Sequence, residues 1–341
     1  MFCKKMSSIL LFACEMSEKR ENGPTMNIVL CGSGTFALEI LKALMASDHE
    51  VTGVVTPVAH RAGRGRRVRH TPVEDAALKA GLHVLACEDI NDDVGHAFLR
   101  SCNPESICVV EFGQFLKQDT CQIATHGAFN LHASILPELR GAGPIQWSIL
   151  RGDERTGVTT FELVDKMDAG PILRAEELPI GPEERASELR ERLAELACGV
   201  VIDTLNDYES GHANAVEQDQ DHATFAPMLK KSDGWLDFTQ PAEDVLRVIR
   251  GTYPWPGAHA KYICCEGKKT IDVAITRARL AEGIADVPPG EIEPGLTIAT
   301  GRGRLEILEL KPAGKREMDW KAFCNGYRVL HGGKFQSPST S

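Results

Sequence analysis

Asn130, His132 and Asp168 are the residues of this chain best suited to do chemistry. Asn130 and His132 stand two apart at the carboxyl end of the apolar run Ala128–His132, so in a strand both point to one face. Asp168 precedes Ala169-Gly170 at a turn between two strand-like runs, one starting at Gly157 and the other at Pro171. An amide, an imidazole and a carboxylate offer a neutral donor, a charged donor and a proton acceptor. Those groups stabilise an oxyanion and move a proton. Taken singly, each also fits a plainer role. Asn130 and His132 fit satisfied polar groups in a core, and Asp168 fits a turn former.

A second segment invites a different chemistry. Gly32-Ser33-Gly34-Thr35-Phe36-Ala37 has the form G-x-G-x-x-A between a strand and a helix, half of a dinucleotide fingerprint. The other half, an acid at the end of the second strand, is missing: that strand ends Val55-Thr56-Pro57, and Glu50 stands at its start. The segment reads as a tight strand-to-helix turn, and no NAD is expected. The eleven cysteines include no Cys-x-x-Cys pair and no zinc-ligand spacing, so no metal is expected. Several lie inside apolar runs, as Cys31 and Cys108 do, and read as small buried hydrophobes. Their odd number fits reduced thiols in a cytoplasmic setting.

The elements that must position these residues alternate. Strands are predicted at Ile28–Cys31, Val51–Thr56, Val84–Leu85, Ile107–Phe112 and Ala128–His132. Helices are predicted between them, the first carrying Phe36, Ile40, Leu41 and Leu44 on one face. The predicted fold class is α/β: a Rossmann-like, doubly wound, mostly parallel sheet whose ligands bind at the carboxyl ends of the strands. Residues 206–227 are polar and aperiodic and read as a linker. Beyond it, short strand-like runs at 260–264, 270–275, 296–300 and 305–310, punctuated by Gly and Pro, predict a small OB-like β-barrel. The expected division is a catalytic domain at 26–205, the linker, a barrel domain at 228–334 and a frayed tail at 335–341. Residues 1–25 read as a disordered leader or an upstream start, because Met26 directly precedes the first strand.

The chain has 341 residues, with 38 Lys and Arg against 48 Asp and Glu, for a net charge of −10. Hydrophobic residues make up 43% and charged residues 25%, which excludes disordered and fibrous classes. No apolar run approaches the ~18 residues of a membrane-spanning helix. The mean charge argues against a nucleic-acid partner, but the charge is polarised. Five arginines and no acid lie between residues 60 and 70, Lys230 and Lys231 form a pair after the linker, and residues 311–334 carry a local charge of +4. Binding of nucleic acid should then be local and salt-sensitive.

The motifs taken together are more specific. Asn130-x-His132-x-Ser134-x-Leu136-Pro137, then Arg140-Gly141-x-x-Pro144, Gly157-Val158-Thr159 and Asp168-x-Gly170-x-Ile172 resemble the folate-dependent formyltransferase superfamily. The likeness runs from Met26 to about His331 and narrows to the methionyl-tRNA formyltransferase family. Two features carry that narrowing. The loop Ala62–Arg67 looks like that family's basic tRNA-contacting loop, and Tyr253–Gly257 with Leu310–Arg316 look like its second domain. The chain departs at Ser33-Gly34-Thr35, where the family usually has Thr-Pro and an acid, and at Pro57–Arg61.

The resemblance implies catalytic roles for Asn130, His132 and Asp168. It implies a 10-formyltetrahydrofolate donor whose pterin lies against Phe112, Gly113, Ser134, Ile135, Leu136 and Pro137. It implies an initiator methionyl-tRNA acceptor met by Arg64, Arg66, Arg67, Lys230, Lys231, Lys315 and Arg316. A monomer with no membrane partner is expected. Two alternatives are a formyltransferase acting on a sugar-nucleotide amine, which lacks reason for the basic loop, and a non-catalytic folate- or RNA-binding homologue.

Overall fold

The computed structural model describes residues 25–58, 61–62, 67–68, 70–264, 270–329 and 332–338. The leader reading for residues 1–24, the contacts expected of Arg64 and Arg66, and the side chain of Arg67 lie outside the described residues. Two compact units emerge, Met1–Leu131 with Cys198–Ala215, and His132–Ala197 with Val216–Ser341.

In the first unit the elements are β1 Asn27–Gly32, α1 Thr35–Ala46, β2 Glu50–Pro57, the short β3 Arg61–Ala62 and β4 Arg67–Val68, and α2 Pro72–Lys79. Then come β5 Val84–Cys87, α3 Asp93–Cys102, β6 Ser106–Val110, α4 Gln118–Cys121 and β7 Ala128–His132. Strands β5, β2, β1, β6 and β7 are parallel neighbours in that order. Every residue of β6 is buried, as its unbroken apolar run requires of a strand covered on both faces. Helix α1 buries Phe36, Ile40, Leu41 and Leu44, the face its spacing predicts.

Gly32 ends β1 where a Cβ would lie 2.8 Å from both the Ala37 Cβ and the Val110 carbonyl oxygen. Close packing therefore accounts for that glycine. Strand β6 stops at Val110, short of the predicted Phe112, because Glu111 turns into the left-handed region at φ 48°. Cys31, Cys87, Cys102, Cys108 and Cys121 are buried. Burial pushes the Cys31 and Cys108 thiols far up and that of Cys87 to about 11, which leaves them as inert hydrophobes.

The second unit contains α5 Pro144–Arg151, the antiparallel pair β8 Arg155–Glu162 and β9 Ile172–Pro179, and the start of α6 Ala186–Ser210. Helix α6 continues past residue 206, so the stretch read as linker begins inside it. After it come α7 Ala242–Gly251, β10 Ala258–Ile263, β11 Thr270–Ala281, β12 Ile298–Ala299, β13 Arg304–Pro312, β14 Met318–Asp319, α8 Trp320–Tyr327 and β15 Lys334–Gln336.

The antiparallel order β12-β13-β11-β10-β15 curls into a barrel. The segment at 291–292 closes it, since Glu291 bridges Lys334 of β15 and Ile292 bridges Ile298 of β12. Leu246 and Ile249 of α7 pack into a core with Tyr262, Leu310, Phe323 and Phe335. Among the described residues no helix is long and apolar enough to cross a membrane.

Candidate active site

Strand β7 delivers His132 at its carboxyl end, where a sheet of parallel strands opens to ligands. The side chain is 7% exposed. Its Nε2 lies 2.9 Å from the backbone oxygen of Leu139. A carbonyl only accepts, so Nε2 carries the proton, and Nδ1 is the nitrogen left for other partners. Nδ1 faces Asp168 Oδ2 at 3.9 Å, close enough to feel the charge and too far for a direct hydrogen bond. The orientation of His132 is thus set by the Leu139 carbonyl. Leu139 adopts φ 57° and its amide donates to Thr224 Oγ1 at 2.9 Å. Asn130, half-buried, precedes His132 by two residues on β7 and so shares its face of the strand.

Asp168 occupies the connection between β8 and β9 at φ 50°, a conformation Asp tolerates better than most side chains. Gly170 lets this connection close tightly: a Cβ there would overlap the Glu162 carbonyl oxygen. The Asp168 carboxylate accepts from the Gly141 amide at 2.8 Å through Oδ2. Arg140, which directly precedes Gly141, is 2% exposed. Burial presses its guanidinium below its usual range, and the Asp168 charge opposes that.

The stretch read as a linker is bound to this site. Val216 exchanges two backbone bonds with Ile172 of β9. Gln218 takes two bonds from Arg140, Nε at 3.2 Å and Nη2 at 2.6 Å. Its own amide donates to the backbone oxygens of Asp168 at 3.0 Å and Gly170 at 2.7 Å. Gln220 accepts from Arg140 Nη1 at 3.0 Å. Residues 224–226 then run beside 140–143: Arg140 donates to the Thr224 carbonyl, and Ala226 and Gly143 complete the ladder. Pro144 at the first turn of α5 and Gly152 at its end, φ 80°, fix the helix that follows.

The residues expected to hold folate have mixed surroundings. Phe112 is buried and Gly113 takes φ 78° in the loop after β6. In the other unit, Ser134 donates to Glu138 O at 2.6 Å, and Thr159 of β8 donates to Ser134 O while accepting from the Leu136 amide. Ser134 and Leu136 are buried supports of the loop, whereas Ile135 and Pro137 remain partly exposed. Lys230 and Lys231 are exposed at a short 3-10 turn, and Lys315 and Arg316 are exposed between β13 and β14. A cavity of about 410 Å³ lies on the barrel, bordered by Tyr253, His259, Thr276 and Lys311. None of the predicted catalytic residues lines it.

Residues 26–205 match the family described as formyl transferase, and residues 228–328 match the formyl transferase C-terminal domain. A methionyl-tRNA formyltransferase of Solibacter usitatus is 37% identical over 91% of this chain and 98% of its own length. That of Koribacter versatilis is 39% identical over 89% and 96%. Among solved structures, HypX from Aquifex aeolicus in complex with tetrahydrofolic acid aligns at TM-score 0.60 and 17% identity over 89% of this chain. The chain spans 47% of that longer protein. An N-formyltransferase from Helicobacter canadensis, in complex with folinic acid and dTDP-3-aminofucose, aligns at TM-score 0.60 and 12% identity, covering 83% of this chain and 98% of its own. At such identities these structures speak for the fold.

Proposed function

The chain belongs to the methionyl-tRNA formyltransferase family, and we propose that it moves the formyl group of 10-formyltetrahydrofolate to the α-amino group of initiator methionyl-tRNA. The observation that carries the reading is the pairing of His132 Nδ1 with the Asp168 carboxylate, inside a chain whose two halves both match the family.

In this reading the amine nitrogen bonds to the formyl carbon, and the bond from that carbon to the folate N10 breaks. Charge builds on the formyl oxygen in between. A hydrogen bond aimed at such an oxygen is worth on the order of 10²–10³ in rate. Leu139 occupies Nε2 of His132, and 3.9 Å leaves Nδ1 without a direct bond to Asp168. Protonated, Nδ1 is therefore free to donate to the oxyanion, with the carboxylate supporting its charge. Asn130 supplies a second, neutral donor. Asp168 takes the proton that the amine sheds, directly or through water, and returns it by the same route to N10 as that nitrogen leaves.

The loop Ser134–Pro137, braced against β8 by Thr159, and the Phe112-Gly113 turn are assigned to the pterin. Arg64, Arg66, Arg67, Lys230, Lys231, Lys315 and Arg316 are assigned to tRNA phosphates. We assign residues 26–205 and 228–334 as the catalytic and tRNA-binding domains of a cytoplasmic monomer.

The test is a formyl-transfer assay with charged initiator tRNA and 10-formyltetrahydrofolate, run beside an active control enzyme. Formylmethionyl-tRNA is the expected product. No product here, with turnover of a sugar-nucleotide amine, would overturn the reading.

A further inference from the structure

Gln218 is 5% exposed and every hydrogen-bonding position of its amide is used. The oxygen receives Nε and Nη2 of Arg140, and the nitrogen gives its two protons to the carbonyls of Asp168 and Gly170. The orientation is forced by chemistry. Rotated, the amide would set its N–H groups against a guanidinium and its oxygen against two carbonyls. Arg140 in turn is a buried cation whose acceptors are the amide oxygens of Gln218 and Gln220. Such a charge is tolerated when its donors are met. The two carbonyls that Gln218 grips belong to Asp168, which takes a left-handed backbone, and to Gly170 two residues on.

We propose that Gln218 is a positioning residue for formyl transfer: anchored on Arg140, its amide clamps the Asp168–Gly170 backbone and so holds the Asp168 carboxylate on Gly141 and before His132. The inference rests on the proposed function for its kinetic form, but the geometry it predicts is independent of turnover. Gln218→Ala removes the clamp. Gln218→Glu keeps the acceptor for Arg140 and turns a carboxylate oxygen toward two carbonyl oxygens.

The experiment compares wild type, Gln218→Ala, Gln218→Glu, Asp168→Asn and the double variant Gln218→Ala/Asp168→Asn. Each is checked for a native circular-dichroism spectrum. In the formyl-transfer assay, kcat of both Gln218 variants should fall at least roughly tenfold, with KM for the folate donor changed less than about threefold. The pH–rate profile should move with it. In the Asp168→Asn background, Gln218→Ala should cost less than about twofold more, because its effect runs through that carboxylate.

The second readout is the Gly141 backbone amide resonance, which carries the bond to Asp168. Gln218→Ala should shift it. Unchanged kcat and an unmoved Gly141 resonance, or effects that multiply fully with Asp168→Asn, would overturn the inference. If wild type fails to formylate methionyl-tRNA, the proposed function falls, and the Gly141 resonance alone decides the positioning role.

Discussion

The Gly141 amide donates to Asp168 Oδ2 at 2.8 Å, and that same oxygen faces Nδ1 of His132. The loop after β7 therefore holds both sides of the pair: Leu139 sets the imidazole and Gly141 sets the carboxylate. Charge-assisted bonds of this kind are about twice as strong as neutral ones. Gly141 itself is obligatory, with φ 116° and the Ala226 carbonyl oxygen 2.8 Å from where a Cβ would stand.

Asp168→Asn preserves an oxygen acceptor for Gly141 and removes the charge before His132. His132→Ala removes the donor. We expect either variant to stay folded and to lose at least about 10² in kcat. Single-turnover formylation alongside circular dichroism checks this, and near-normal turnover by folded Asp168→Asn would remove the assigned role.

Gly170→Ala pushes a methyl group into the Glu162 backbone, which the antiparallel pair β8–β9 cannot give up. A destabilisation of about 1–3 kcal/mol is expected, as for overpacking in a close-packed interior. Urea unfolding midpoints measure it, and a midpoint equal to wild type would show that the turn has slack.

His49 supplies a pH prediction. Burial lowers its folded-state value from the ordinary 6.5, against smaller opposing contributions from Asn206, Asp48 and Glu105. Its Nδ1 accepts from the Met26 amide at 3.4 Å. As pH falls through 6.5, the unfolded chain binds a proton that the folded chain resists, so stability is lost on acidification. The contribution is fully present above that value. Between pH 7.5 and 5.5, wild type should lose more stability than His49→Gln in paired urea titrations. Equal losses would contradict the assignment.

Arg64→Ala should weaken tRNA engagement and flatten the dependence of formylation on salt by about one unit of log–log slope. KM for tRNA across a salt series reads this out. An unchanged slope would take Arg64 off the phosphates.

Asn130 and His132 stand out in the sequence as polar residues two apart at the end of an apolar strand, a pattern that equally fits satisfied core groups, and it is the longer motif that singles them out. Asp168 was legible through its motif. Gln218 was not. It sits 78 residues from the guanidinium it holds, in a polar segment whose lack of periodicity signals only the absence of helix and strand. A buried polar side chain in an irregular segment leaves no such pattern. The α6 boundary was missed for a related reason. The last turns carry Asn206, Asp207, Glu209 and Ser210, and the helix is held there by Leu205 and by Tyr208 packed on Phe129 and His126. Strand β6 ended early at a non-glycine residue with positive φ, which composition does not announce.

The strap at 216–226 also bears on how this enzyme is made and how it could be recombined. A nascent chain that has emerged as far as residue 205 already carries Asn130, His132 and Asp168, yet lacks the amide that bonds the Asp168 and Gly170 carbonyls and the acceptors that satisfy the Arg140 donors. A gene fusion that transplants the matched span 26–205 moves the residues assigned to catalysis and leaves Gln218 behind. For this candidate site, the unit that must move together runs past the matched span 26–205 and includes Gln218 and Gln220.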